Sequence, residues 1–168
     1  MANEQDVLTV FQALVAVHEK FNDMAVRKRE IVKKGNMKEL DELLKEEATL
    51  IQQLRKLENT RQHVVQAWMQ DKGFVKEDVR FEQLLNLFPH ERVAELQQLE
   101  QRLVLEIRKL KEQNDLNQQL LEESLRFVNM SLDAMQPQQE FNNYQKPSGK
   151  NKNDDFEAEG RSLFDSKV

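Results

Sequence analysis

The stretch IVKKGNMKEL, residues 31–40, places a tight turn between two long amphipathic segments. Gly35 is typical of the left-handed residue that ends a helix, and the two lysines before it suit the negative end of a helix dipole. Asn36 can cap a second helix, with Glu39 three residues on in a capping-box pattern. A turn this short forces its two helices to run antiparallel, so the sequence predicts a helical hairpin.

Both helices of the hairpin carry mostly apolar residues at alternating steps of three and four. The first helix is predicted from its cap at Asn3 to Lys34, and the second is predicted to end near Asp71. The line on the first helix is Val7, Phe11, Leu14, His18, Phe21 and Ala25. The line on the second is Met37, Leu40, Leu44, Glu47, Ile51, Leu54, Glu58, Arg61, Val65 and Trp68. We interpret Trp68 and Met69 as core at the open end of the hairpin.

Two further helices are predicted after the hairpin. Residues 74–88 suit a short helix over about 78–87, packed over one end of the hairpin. Pro89 then opens a third long helix in its first turn, where a missing N–H does no harm. That helix continues until Pro137, and its apolar step averages 3.5 residues, the coiled-coil period. Its predicted seam is Val93, Leu96, Leu99, Leu103, Ile107, Leu110, Asn114, Asn117, Leu121, Leu125, Val128, Leu132 and Met135.

The composition suits long helices that each bury one stripe of side chains. The chain has 168 residues, 39% of them apolar and 33% charged, with four glycines and three prolines. It lacks cysteine, which excludes disulfides, Cys-ligated zinc and a thiol nucleophile and is compatible with a reducing cytoplasm. No apolar run approaches the roughly 20 residues of a membrane span, and no signal peptide is recognisable. A net charge of −5 without a basic stripe argues against a nucleic-acid partner.

The predicted fold is all-α: an antiparallel, coiled-coil-like bundle of three long helices plus one short helix, with a flexible C-terminal tail. We place the bundle at 1–136 and the tail at 137–168, where polar residues, prolines and glycines collect. At 1.5 Å per residue the long helices span roughly 46, 53 and 69 Å, so the third outlasts its partners. Its end, from about Leu125 to Met135, is predicted to project with an apolar stripe that has no intramolecular partner.

Patterns for catalysis and metal binding are absent, so we predict no catalytic residue, no metal site and no cofactor. The histidines lie on different helices or at a helix start, at His18, His63 and His90. The run HERVA at 90–94 fails as a zinc-protease motif because Ala94 stands where the second histidine would be. Paired glutamates along the helices are typical of solvated helix surfaces.

Two amides, Asn114 and Asn117, interrupt the seam of the third long helix within NDLNQQLL, residues 114–121. Asparagine in a coiled-coil seam costs stability but fixes the register. The pair could mark where a self-packed bundle gives way to a partner-facing segment, or could simply hydrogen-bond within the bundle. The stripe beyond is spaced to bind an amphipathic partner helix, although it could instead close on the first two helices. Its residues are Leu121, Leu125, Val128, Leu132 and Met135, bordered by Leu120 and Phe127.

This region resembles the C-terminal signature of the FlgN family of flagellar export chaperones. The family typically shows Asn-x-x-Asn-x-x-Leu-Leu late in a long helix, followed by a proline and then a tyrosine in a polar tail. The matching residues are Asn114, Asn117, Leu120, Leu121, Pro137 and Tyr144. The specific part of the resemblance covers about 110–145, and an antiparallel helical bundle of this length also fits the family.

The resemblance implies a cytoplasmic, non-enzymatic, ATP-independent chaperone of flagellar type III secretion. The family binds the C-terminal helical segments of the hook–filament junction proteins FlgK and FlgL and carries them to the export gate protein FlhA. Gate docking would map onto Tyr144, although the glycine that often follows this tyrosine directly is delayed here to Gly149. Client contact would map onto Leu120, Leu121, Leu125, Phe127, Val128, Leu132 and Met135.

A structural coiled-coil or scaffold subunit is the alternative class of function. Such a subunit would self-associate stably through the seam of 3.5-residue period and would have no secreted client. A chaperone is instead expected to be mostly monomeric, with at most weak self-association. An enzyme is a distant third class, because a thin helical rod offers few concave pockets.

Overall fold

A computed structural model of the chain describes residues 2–74 and 79–135. Over that part of the chain it contains four α-helices and no strand, so the all-α prediction of three long helices and one short helix is confirmed. The predicted tail, 137–168, lies outside the described residues, and so does Tyr144. The helices are α1 (Glu4–Lys34), α2 (Met37–Asp71), α3 (Phe81–Leu87) and α4 (Val93–Met135).

The hairpin turn forms at the predicted residues. Gly35 is left-handed, with φ 69°, and donates its N–H to the Val32 carbonyl over 3.0 Å. Asn36 donates its N–H to the Ile31 carbonyl over 3.3 Å, which completes a Schellman motif. The Asn36 side chain accepts from Glu39 N at 3.2 Å, but the return bond of the predicted capping box does not form. The reason is that the Asn36 N–H already serves the end of α1.

α1 and α2 run antiparallel, as the short turn requires. Near the turn, Lys28 Nζ lies 2.6 Å from a Glu47 carboxylate oxygen. At the other end of the hairpin, Lys72 of the α2 cap lies 3.7 Å from the Glu4 carboxylate. The pKa of Glu4 lies below its usual range, chiefly because its carboxylate accepts a hydrogen bond from its own backbone N–H, with the charge of Lys72 contributing. Ion pairs therefore link the two helices at both ends.

α1 and α4 run parallel, because the α3 segment carries the chain back to the start of α1. Arg92, just before α4, donates to the Gln5 side chain over 2.9 Å. Further along, Asn117 Nδ2 of α4 donates to the Ala25 carbonyl over 2.9 Å. α1 packs along both α2 and α4, whereas α2 and α4 hardly approach each other. The bundle is thus organised around α1, with a groove between its two neighbours.

The main hydrophobic core lies at the open end of the hairpin, where all four helices meet. Trp68 and Met69 are buried there, as predicted from the sequence. The Trp68 ring packs on Phe88, which follows α3, with 5.4 Å between ring centroids. The other buried members are Val7, Leu8, Val10, Phe11, Val65, Leu84 and Leu96. α3 therefore closes this end of the bundle.

The boundaries of the last two helices differ from the prediction. α3 begins at Phe81 and not near Asp78, a residue outside the described part of the chain. α4 begins at Val93, four residues after Pro89. The Pro89 carbonyl instead accepts the N–H groups of Arg92 and Val93 at 2.9 and 3.1 Å. Because the extended, buried Phe88 is held against the core, the chain needs this turn before α4 can begin.

Candidate functional site

The face of α4 that contacts α1 also repeats every 3.5 residues, but its phase differs from the predicted seam. The buried or half-buried positions are Leu96, Leu99, Leu103, Glu106, Leu110, Gln113, Asn117, Leu120 and Ser124. The difference begins at Glu106, which occupies the contact line where Ile107 was predicted. Apolar spacing selects isoleucine at that step, whereas the structure pairs the glutamate with a polar partner on α1.

That partner is Asn22, which is 2% exposed and which the apolar pattern passes over. Its Nδ2 donates to a Glu106 carboxylate oxygen over 2.6 Å and to the Glu106 carbonyl over 3.0 Å. Its Oδ1 accepts from Gln113 Nε2 at 3.3 Å. Three polar side chains therefore form a hydrogen-bonded cluster inside the α1–α4 interface. The sequence carries no signal for the cluster beyond a lone amide beside the apolar line of α1.

The two signature asparagines occupy different environments. Asn117 is 4% exposed, donates to Ala25 and accepts a long 3.4 Å hydrogen bond from Arg29 Nε. Asn114 is exposed, so the prediction that it lies in the seam is corrected. Gln113 takes the seam position because the true contact line runs one residue earlier at that turn. Only one of the two amides is therefore part of the α1–α4 interface.

Among the described residues, no helix lies beside the last three turns of α4. Parallel helices advance together, so the end of α1 at Lys34 lies level with roughly residue 126 of α4. Beyond it the apolar side chains are 50–79% exposed: Phe127, Val128, Met130, Leu132 and Met135. Leu125, at the boundary, is 62% exposed, while Leu120 and Leu121 are half-buried. We call Leu125, Val128, Leu132 and Met135 the distal stripe.

A second apolar surface lies in the groove between α2 and α4, above α1. Its enclosed part has a volume of about 430 Å³. Leu54 and Val65 form the α2 wall, and Leu103 and Ile107 form the α4 wall. The floor is Phe11, Leu14 and His18, and the end is closed by Val79, Arg80, Phe81 and Leu84. We call this surface the α2–α4 groove.

Chemically reactive constellations are not present in the described part of the chain. No three His, Asp or Glu side chains of residues 2–74 and 79–135 converge as metal ligands would. His18 Nδ1 lies 2.8 Å from the Leu14 carbonyl, an ordinary contact within its own helix. The basic run near the end of α1 pairs with carboxylates, as in the Arg27–Glu46 ion pair at 3.3 Å. Among the described helices, none combines the length and apolar character needed to cross a bilayer.

Comparison with known proteins assigns the chain to a family. The family model described as FlgN protein matches residues 1–152. The chain belongs to the FlgN family. The match covers the whole described bundle, so it extends well beyond the signature around Asn114 and Tyr144. FlgN proteins are chaperones and not enzymes, which supports a general role in flagellar export.

One relative of the chain comes from Bacillus subtilis (strain 168), where its name is Uncharacterized protein YvyG. It is 27% identical to this chain over 162 residues, which make up 96% of this chain and 97% of YvyG. No solved structure matches the chain. Within the FlgN signature of this chain, Asn117 is buried and Leu120 is half-buried, whereas Asn114 is exposed.

Proposed function

We propose that this FlgN-family protein is a cytoplasmic export chaperone for the hook–filament junction proteins FlgK and FlgL. In this proposal it binds their C-terminal helical segments and delivers them to the export gate protein FlhA. The supporting observation is the distal stripe, an apolar helical face that continues past the end of α1 and that no other described helix covers. The client surface would comprise Leu120, Leu121, Leu125, Phe127, Val128, Leu132 and Met135.

The physical demands of export favour such a surface. A protein that passes a narrow channel must be unfolded, so its chaperone has to mask an amphipathic segment reversibly. Leu125, Val128 and Leu132 are spaced to receive apolar side chains from a helix laid alongside α4. Ordering a disordered client segment lowers the net affinity, which favours release at the gate. No bond is made or broken in this cycle, so the proposal requires no cofactor.

Docking at the gate is proposed for Tyr144, by its match to the family signature. A tyrosine offers a large ring at low entropic cost, and a hydroxyl group for specificity. Tyr144 stands in a polar segment of the sequence, after the residues of the distal stripe. The proposal therefore divides client capture and gate docking between different residues.

Client capture is tested by the double substitution Leu125→Glu with Val128→Glu. Two carboxylates in the distal stripe remove two apolar anchors of about 1.5–3 kcal/mol each, so we expect affinity for FlgK to fall by 100-fold or more. Isothermal titration calorimetry measures the affinity. Leu116→Glu is the matched control, because Leu116 is 53% exposed on α4 but lies outside the stripe. Undiminished binding by the double variant would remove the distal stripe as the client surface.

The scaffold alternative makes an opposite prediction about the protein alone. Light scattering at micromolar concentration should report mostly monomer, and a one-to-one complex after FlgK is added. A tight dimer that binds no junction protein would instead favour a self-associating structural subunit. The comparison needs no variant and uses the full chain.

A further inference from the structure

The distal stripe and the α2–α4 groove share one face of α4. Leu103 and Ile107 line the groove. Leu121 and Leu125 follow them by 18 residues each, which is five helical turns, so all four lie on the same side of α4. The face continues to Met135 at the end of α4. It is about 48 Å long, at 1.5 Å for each residue of the helix. A ligand bound at the distal stripe therefore meets the groove if it continues along α4.

α2 supplies a second wall over much of this length. Leu44 and Ile51 are 46% and 40% exposed and lie two turns apart, on the side of α2 that carries Leu54. With α1 as the floor and α4 opposite, the groove has three of the four walls of a four-helix bundle. The fourth position is shaped for a helix that buries an apolar stripe.

Charges along the two parts of the face have opposite sign. On the groove rims, Arg55 lies one turn past Ile51 and Lys111 one turn past Ile107. Both cations are exposed, and neither forms an ion pair with any described carboxylate. Inside the enclosed part, Glu58 is bridged to Arg61 at 2.5 Å, and Arg80 offsets Glu100. Asp115 is exposed one turn past Lys111 and offsets one of these two cations, which leaves the rims of the groove net positive.

The distal end of the same face is net acidic, because it carries two carboxylates and one cation, Arg126, which lies one turn past Glu122. Glu122 lies one turn before Leu125, and Asp133 lies about two turns after it. Neither carboxylate has a cationic partner among the described residues. A helix laid along the whole face would match it with acidic side chains over the groove and basic side chains over the distal end.

We propose that the client helix extends from the distal stripe into the α2–α4 groove and completes a four-helix bundle there. The occupant is an amphipathic helix of about 30 residues, acidic where it lies between Arg55 and Lys111 and basic beside Glu122 and Asp133. This inference rests on the proposed chaperone function, because the ligand of the distal stripe is taken to be the client. It adds α2 and the groove to a surface otherwise confined to the end of α4.

The absence of cysteine makes a clean labelling experiment available. An environment-sensitive dye is attached to single variants of the full chain at Ile107→Cys in the groove and Leu132→Cys in the distal stripe. Leu105→Cys is the matched control, because Leu105 is 63% exposed on α4, two residues from Ile107 and away from the groove. The titrant is the purified C-terminal helical segment of FlgK. Blue shifts at positions 107 and 132, with none at 105, are the expected result.

Other outcomes separate this inference from the proposed function. A shift at 132 alone keeps the distal stripe as the client site and overturns the extension into the groove. A shift at 107 that depends on protein concentration without FlgK assigns the groove to a second copy of this chain and also overturns it. No spectral shift at any of the three positions contradicts the chaperone proposal as a whole. Circular dichroism melting checks that each labelled variant is folded.

Charge reversal tests the groove by a second route. Arg55→Glu with Lys111→Glu should weaken FlgK binding by about tenfold at low salt and by less at 0.5 M salt, because exposed charges are screened. Lys56→Glu with Lys109→Glu carries the same change of net charge on other faces of α2 and α4. If both pairs weaken binding equally, only net charge matters and the groove is not the binding surface.

Discussion

Asn117 and Asn114 stand three residues apart on α4 yet have different physical roles. Asn117 is buried and bonded to the backbone of α1, whereas Asn114 is exposed. A buried amide stabilises less than a leucine would, but it accepts few alternative alignments, so it fixes the register of α4 on α1. Asn22 has the same role toward Gln113, one turn earlier.

Replacing each signature asparagine with alanine separates the two roles. Asn117→Ala removes the hydrogen bond to Ala25 and leaves Arg29 Nε without its partner, so we expect a loss of about 1–2 kcal/mol in the free energy of unfolding. Asn114→Ala should stay within about 0.5 kcal/mol of the parent protein. Urea denaturation followed by circular dichroism measures both. Equal losses in the free energy of unfolding for the two variants would show that the burial of Asn117 does not contribute to stability.

The sequence predicted amides in the seam, but it located none of the three residues of the polar cluster, which are Asn22, Glu106 and Gln113. The apolar spacing predicted Ile107, and not Glu106, in the seam because such a pattern considers only hydrophobic residues. The real contact line accepts Glu106 because Asn22, on another helix, donates to it. Asn22 lies 84 positions before Glu106 in the chain, so a pattern of neighbouring residues cannot indicate this hydrogen bond. Polar contacts between helices are therefore the part of the site that sequence reasoning missed.

At the scale of the elements, the caps were the most predictable features. Asn3 forms a complete capping box with Asp6, and Gly35 ends α1 in the left-handed region. Both features depend only on residues within one turn, so local sequence determines them. The starts of α3 and α4 were less predictable, because the packing of Phe88 on Trp68 decides where the chain turns after α3.

Gly35→Ala tests how far the left-handed turn controls the hairpin. No atom lies within 4 Å of the position a Cβ would take, so the cost is that of the backbone conformation alone, about 1–2 kcal/mol. The melting temperature should fall by several degrees, with the helical content unchanged. Gly35→Asn should recover part of the loss, because asparagine enters the left-handed region more readily. An unchanged melting temperature for the alanine variant would contradict the strain argument.

Over the whole molecule, stabilising contacts are distributed unevenly. The apolar core gathers where α3 closes the bundle, around Trp68, while the α1–α4 interface becomes polar toward the turn and then ends. The sequence predicted this outline, because helix lengths alone required the third long helix to outlast its partners. It did not predict that α1 separates α2 from α4, since apolar periodicity on each helix does not say which neighbour it faces.

The proposed division of labour predicts the behaviour of Tyr144→Ala. Affinity for FlgK should be unchanged, because Tyr144 lies outside the proposed client surface. Binding of the chaperone–FlgK complex to FlhA should weaken by tenfold or more, and Tyr144→Phe should give an intermediate value because the ring is kept. Surface plasmon resonance on immobilised FlhA measures both. Loss of FlgK binding by the alanine variant would contradict the separation of the two tasks.

The end of α4, which no other described helix contacts, also determines how the protein responds to heat. A helical segment of about ten residues without tertiary contacts is marginal in water, and its helicity declines gradually with temperature. The bundle below it melts cooperatively, since it is supported by the core around Trp68. Residues 126–135 therefore lose helical structure at temperatures where the rest of the chain is still folded. Client capture that depends on them would weaken on warming before the chaperone itself unfolds.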